Sequence, residues 1–369
     1  MLQPPPAEPG MPIDEIDTPA LVVDLDAFEF NLDSMARLAA EAGVKLRPHA
    51  KTHKSPVVAH LQMAHGAVGQ CVQKVAEAEV LAWSGVPDIL VSNEVVSPRK
   101  LARLAALTRI AKVAICADHV RGVEAIEAAA RDAGVCMTVL VEIDVGAGRC
   151  GVPPGPAAVK LAQRIDHSPH LHFGGLQAYH GRAQHQRTPQ ERSASISAAA
   201  GKTGDLVEDL RRVGLDCAIV GGAGTGTFAL EAASGVYTEL QVGSYVFMDA
   251  DYGRNTPAPP FRNALFVRAT VMSVPHPGLA VVDAGHKAVA VDSGLPLVWE
   301  RPGVTYVGAS DEHGNLALAA DAEPLRLGQQ VMLVPGHCDP TVDRYDWYVG
   351  VRNGRVERLW PVAARGAMA

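Results

Sequence analysis

The sequence predicts an α/β protein: a (β/α)8 TIM barrel followed by a smaller all-β domain. Three observations predict it. Eight apolar, strand-like runs alternate with helical stretches over about two hundred residues. From about Phe261 the texture changes to short β-rich runs separated by Gly and Pro turns, with no long helix evident. Polar and glycine residues gather at the C-terminal ends of the predicted strands, where a barrel places its active site.

The elements follow in order. Met1–Pro6 carries neither a basic nor an apolar signal region, and is expected to be an extended tail. Thr18–Leu25 is strand-like and precedes the barrel pattern, so it is expected to join the β-domain. Asp26 is the expected N-cap of an amphipathic helix running to about Ala42. The eight barrel strands are expected at 44–50, 66–71, 88–92, 111–117, 138–144, 171–178, 216–221 and 237–242. Helices are expected at Lys74–Ser84, Pro98–Leu107, Val120–Ala133, Pro156–Ile165 and Ser195–Val213. The eighth helix would fall near 244–255, where the periodicity is poor. Later runs at 265–274, 279–283, 304–307, 330–334, 347–352 and 355–360 read as β-strands. The expected division is 1–25 as tail and joining strand, 26–258 as barrel, and 259–369 as β-domain.

Composition narrows the partners. With 369 residues, 48% hydrophobic and 20% charged, the chain is long enough for a large core. Its net charge of -7 and lack of a basic run argue against nucleic acid and anionic membranes. No apolar run reaches the ~18 residues of a membrane span. The six cysteines show no CxxC pair and no framework spacing, so a reducing, cytoplasmic setting without disulfides is expected.

Arg47-Pro48-His49-Ala50-Lys51-Thr52-His53-Lys54 falls at the end of the first barrel strand. Strand alternation would place Arg47, His49 and Lys51 on one face. A lysine enclosed there can lose its proton and act as a Schiff-base amine. By spacing alone, a basic surface loop would read the same way. The seventh strand ends in Gly221-Gly222-Ala223-Gly224-Thr225-Gly226-Thr227, where backbone N–H groups could cradle a phosphate; a flexible loop is the plain alternative. Lysine and phosphate nest together suggest pyridoxal phosphate, PLP. The fifth strand ends in Asp144 to Gly151 with Arg149, the sixth in Tyr179 and His180 with His185 beyond, and the eighth in Gln241, Gly243 and Ser244. In the β-domain, an extended His337-Cys338-Asp339 would turn His337 and Asp339 to one face and Cys338 to the other, a possible divalent-metal pair or a plain turn.

Those stretches resemble the fold-type III PLP enzymes, alanine racemase and its relatives, from about Asp17 to Pro361. The Arg-Pro-His-Ala-Lys-Thr-His-Lys run is similar to the D-threonine aldolase and D-serine dehydratase branch. The resemblance implies that Lys51, not Lys54, holds PLP, with Arg149 near the 3′-oxygen and Tyr179 beside the ring. It puts Gly222, Gly224, Thr225 and Gly226 at the phosphate, and Gln241, Gly243 and Ser244 at the eighth strand end beside the cofactor. Gln241-Val242-Gly243 stands where alanine racemase has Arg-Pro-Gly, which argues against racemase chemistry. His185 is placed near the substrate hydroxyl as the catalytic base, while His49 and His53 flank the lysine and could pack on the cofactor. The dehydratase branch has His-x-Cys; the aldolases have His-Cys-Asp, as here. The metal pair is then His337 and Asp339, with Mn2+ first and Mg2+ or Zn2+ behind it. Asp283, His286, Lys287 and Asp292 could approach the site from a partner subunit. The implied activity is cleavage of D-threonine and related D-β-hydroxy-α-amino acids to glycine and an aldehyde, by a homodimer. The alternative is a D-serine or 3-hydroxyaspartate dehydratase.

Overall fold

The computed structural model describes residues 3–369; Met1 and Leu2 of the expected tail lie outside them. From Gln3 onward this segment packs on the β-domain. The Gly10 N–H donates to Val356 O at 2.8 Å, and the Trp347 indole donates to Gln3 O at 2.7 Å.

Strand β1 (Ala20–Asp24) leads directly into helix α1 (Leu25–Glu41). Its N-cap is Asp24, not the expected Asp26: the Asp24 carboxylate accepts from Ala27 N–H at 2.9 Å. Eight parallel strands then follow: β2 (Lys45–Leu46), β3 (Gln70–Val72), β4 (Asp88–Glu94), β5 (Lys112–Ala117), β6 (Met137–Glu142), β7 (Leu171–Gln177), β8 (Ile219–Gly222) and β9 (Glu239–Leu240). They pair in the order β2-β9-β8-β7-β6-β5-β4-β3. A parallel bridge between His49 and Cys71 closes the ring, so all eight predicted strands form a barrel. The connecting helices are α2 (Pro56–Ala64), α3 (Val75–Trp83), α4 (Pro98–Leu107), α5 (Val120–Ala133), α6 (Pro156–Asp166), α7 (Pro189–Arg212) and α8 (Phe228–Ala233). Pro98, Pro156 and Pro189 each open a helix, where proline's missing N–H costs nothing.

The eighth helix is reduced to a 3-10 turn and α9 (Ala250–Gly253). Helix α1 covers that side instead. Its Phe28, Leu32 and Met35 share one core with Leu46, Leu240, Val242 and Phe247. The same core continues into the β-domain through Leu265, Val267, Leu333 and Tyr348. Barrel and β-domain are therefore packed as one body, which holds the sites they carry in fixed register.

The β-domain comprises β10 (Leu265–His276), β11 (Leu279–Val282), β12 (Leu297–Val298), β13 (Val304–Ala309), β14 (Gly314–Leu318), β15 (Gln330–Val334), helix α10 (Cys338–Val342), β16 (Trp347–Arg352) and β17 (Arg355–Pro361). Its strand order is β13-β14-β11-β10-β1-β16-β17, with β15 pairing β10 and β12. As expected, β1 belongs here, antiparallel to β10 and parallel to β16. Sequence reading missed β12 and β14, both short.

Arg47 points into the barrel, away from the cavity. Its guanidinium binds Glu239 at 2.7 Å and Asp88 at 2.6 Å, tying β9 and β4 to the chain beyond β2. Arg47→Ala would leave Glu239 buried without its cation. Such a change costs about 3–5 kcal/mol, so urea unfolding should show a much lower midpoint; an unchanged midpoint would contradict this role.

Candidate active site

Beyond Leu46 the chain leaves strand geometry and turns at Ala50, so Arg47, His49 and Lys51 do not share one extended face. His49 and Lys51 nevertheless line the same cavity. This cavity of about 320 Å³ opens at the C-terminal end of the barrel. Its walls include Lys51, Arg149, Tyr179, Thr225, Gln241 and Ser244. Gln73, Ser92 and Tyr252 also line it, and sequence reading passed over all three; Gln177, at the end of the sixth strand, lines it too. Among these, Gln73 and Ser92 are uncharged residues at or just inside the ends of strands that carry no glycine run.

Lys54 is elsewhere. Its ammonium is buried between Asp343, at 2.8 Å, and Glu77, at 3.4 Å, so it braces the two domains. His53 is buried beneath it, with Tyr348 Oη donating to its carbonyl at 2.7 Å. Burial pushes its imidazole down to about 4. His53 is a packing residue and does not face the cavity. His49 does face it. Burial, then the neighbouring Lys51 charge, holds His49 neutral, and its Nε2 lies 2.9 Å from the Gln73 amide and 3.2 Å from Ser92 Oγ.

The loop after β8 divides the predicted phosphate residues. Ala223, Gly224 and Thr225 face the cavity. Gly222 and Gly226 do not line it; a Cβ there would strike Ala178 O at 2.7 Å and Gln184 O at 2.5 Å respectively. They are glycines because the loop packs tightly against the chain after β7. Thr225 Oγ1 is buried without a partner among the described residues. A hydroxyl left so, in a glycine cradle, fits a phosphate. At the cavity floor, Gln177 and Gln241 bond each other twice, at 2.8 and 2.7 Å, which fixes both amides. Gly243 is bare because any Cβ would press on Thr52 Oγ1. Arg149 sits 5.7 Å over the Tyr179 ring, and both face the cavity as expected.

The β-domain reaches this cavity within the same chain. Lys51 Nζ forms an ion pair with Asp339 Oδ2. Burial works against the ammonium, yet the Asp339 carboxylate raises its pKa above the ordinary value. The depressed lysine pKa expected from enclosure is therefore absent, because enclosure brought a counter-charge with it. Asp339 Oδ1 is buried and has no hydrogen-bond partner among the described residues, and it lies 4.0 Å from His337 Nε2. Asp292 accepts from His337 Nδ1 at 2.7 Å, which directs Nε2 toward Asp339. Asp292 thus reaches His337 from within its own chain. A cation already stands against Asp339, an acceptor is spare and an imidazole faces it: this donor set fits a divalent metal.

The reason expected for Cys338 does not hold. His337 is extended, with φ -147° and ψ 124°, but Cys338–Val342 is a helical turn. Cys338 is directed into the core, donating to Met248 O at 3.3 Å, and burial holds its thiol protonated. It is excluded from the metal pair by packing, not by strand alternation.

His185 does not line the cavity. It stacks on Tyr252, which does, with centroids 5.8 Å apart. Its Nδ1 bonds Asp251 at 2.5 Å. Asp251 is itself bound by Arg187, and by Arg254 at 3.3 Å. Despite burial, His185 and Arg187 hold the Asp251 carboxyl far below its usual range. Asp251 was missed because its strand-to-helix segment had no readable periodicity.

Residues 23–251 match the family model for the alanine racemase N-terminal domain, and residues 264–351 match one for a serine dehydratase domain. A D-threonine aldolase from Arthrobacter is 47% identical, over 98% of this chain and 96% of its own length. A 3-hydroxy-D-aspartate aldolase from Paracoccus denitrificans is 48% identical, over 98% of this chain and 95% of its own. The crystal structure of D-threonine aldolase from Filomicrobium marinum superposes with a TM-score of 0.98 at 50% identity, covering 100% of both chains. With that cavity, that lysine and relatives matching from end to end, the chain belongs to the alanine racemase-like family, alongside the D-threonine and 3-hydroxy-D-aspartate aldolases.

Proposed function

We propose that this protein is a carbon–carbon lyase that cleaves D-threonine and related D-β-hydroxy-α-amino acids to glycine and an aldehyde. PLP would be held by Lys51, and a divalent metal, Mn2+ first among candidates, by His337 and Asp339. The observation that carries this reading is the ion pair between Lys51, in the cavity wall, and Asp339 of the β-domain, which brings an amine beside a metal-type donor pair. When bound, PLP supplies an electron sink for the carbanion at Cα, and the metal supplies Lewis acidity at the β-hydroxyl.

The chain's own residues do the rest. Ala223, Gly224 and Thr225 would anchor the phosphate, and the Gln177–Gln241 pair would face the ring edge opposite it. A fixed neutral amide there, in place of a cation, would put no charge of its own at that edge. His185 stacks on the cavity-lining Tyr252 and does not itself line the cavity; as the base proposed for the β-hydroxyl proton it would act from beside that ring, with Asp251 holding its Nδ1 and leaving Nε2 to accept. Asp251→Asn should therefore lower kcat about 10²-fold with KM little changed. A variant with full kcat would remove the His185–Asp251 pair from the chemistry.

Incubation with D-threonine tests the reaction itself. Glycine with acetaldehyde is expected. Formation of 2-oxobutyrate and ammonia would make the protein a dehydratase. The proposal also takes the protein to be a cytoplasmic homodimer. Six free thiols support a reducing compartment, and no helix among the described residues is long and apolar enough to cross a membrane. Sedimentation as a monomer at assay concentration would overturn the dimer.

A further inference from the structure

Glu94 ends β4 and Glu142 ends β6, on either side of β5 and at the cavity end of the barrel. One oxygen of each carboxyl group and the Cys150 sulfur lie within 4.8 Å of one another. Glu142 is only 5% exposed. Both oxygens of Glu94 and Oε2 of Glu142 are buried, with no hydrogen-bond donor reaching them among the described residues. Two groups that can only accept, facing each other away from water, are satisfied by a proton held between them.

The surroundings favour a proton over a metal ion. Among the described residues, the cation paired with this group is Arg149, whose Nη2 is 3.9 Å from Glu142 Oε1; His119 and Arg121 line the neighbouring cavity with Glu94. A divalent ion in the cluster would stand against that guanidinium. The other neighbours are Cys150 and, from the end of β5, Cys116 and Asp118. Burial pushes the Cys150 thiol up to about 11 and Cys116 well above its ordinary value, so neither adds charge. Asp118 is engaged by Gly151 N–H at 3.0 Å. Burial, and then the Glu94 charge, push Glu142 up to about 9. With one shared proton the pair carries a single negative charge, opposite that of Arg149.

We propose that Glu94 and Glu142 act as one acid–carboxylate pair sharing a single proton, and that this pair positions Arg149 in the cavity. Neither Glu94 nor Glu142 is among the residues lining the cavity, so they would act through the arginine, which is. The pair stands by itself, while its effect on the PLP ring rests on the function proposed above.

Infrared spectra of the cofactor-free protein near neutral pH test the pair directly. The wild type should show a protonated-carboxyl C=O band that both Glu142→Gln and Glu94→Gln lack, since the amide replaces the shared acid. After PLP is added, the wild-type visible band should shift at alkaline pH as the proton leaves, and the Gln variants should not show that shift. The double variant E94Q/E142Q removes the anion altogether and should displace the band at neutral pH. No difference in the carboxyl region would overturn the proposal. So would a metal ion bound to His337→Ala protein and released by Glu142→Gln. A wild type that never develops a visible band with PLP would overturn the proposed function while leaving the infrared result to stand.

Discussion

Lys51→Ala abolishes both the visible absorbance of bound PLP and the cleavage of D-threonine, with turnover falling by roughly 10⁴-fold or more. The cavity offers no other amine: Lys54 is buried between Glu77 and Asp343 on the far side of the turn. Lys54→Ala should therefore lower thermal stability, because it strips a buried ion network of its cation, and should keep the visible band. Absorbance spectra of the two purified variants decide the matter. A band that survives in Lys51→Ala and disappears in Lys54→Ala would reverse the assignment. In the ligand-free protein Lys51 is held as an ammonium by Asp339. Imine formation needs the free amine, so Asp339→Asn should speed PLP uptake at neutral pH even as it removes activity.

Chelation with EDTA eliminates turnover and leaves PLP in place. The two sites are supplied by different parts of the chain: Lys51 and the phosphate cradle by the barrel, His337 and Asp339 by the β-domain. Added Mn2+ should restore the rate, and His337→Ala or Asp339→Ala should reproduce the chelated state. Asp292→Asn should weaken metal affinity about 10–100-fold, because Asp292 fixes which His337 nitrogen is free. Asp339→Cys should shift preference toward zinc, a softer partner for thiolate. Cys338→Ala should spare metal binding but lower stability by about 1 kcal/mol, since the thiol fills a closed seam between the domains. Metal analysis alongside D-threonine assays tests the set. Full activity in a metal-free preparation would end the account.

The predicted eight strands were legible because a parallel barrel strand is buried on both faces and reads as a short apolar run bounded by turns. The eighth helix was not, since no amphipathic helix is there; α1, written two hundred residues earlier, covers the gap. Lys51, Arg149, Tyr179 and the 221–227 glycines announced themselves as polar or bare residues at strand ends. Gln73 and Ser92 did not, because an uncharged residue near a strand end looks like any surface polar group. Gly222 and Gly226 were read as phosphate contacts when their bareness serves the packing of the loop on the chain after β7.

By itself the sequence determined the architecture, the lysine and the donor types at 337 and 339, because periodicity and residue chemistry are local properties. Only the tertiary structure decided which charges meet. It set Asp339 against Lys51, reversing the expected lysine shift. It placed Asp292 behind His337 and Asp251 behind His185, and joined Glu94 to Glu142 across an intervening strand. Those pairings span from 45 to 288 residues of chain. An ionisable group's behaviour is set by distance in space and by burial, and neither quantity is written in the spacing of residues along the chain.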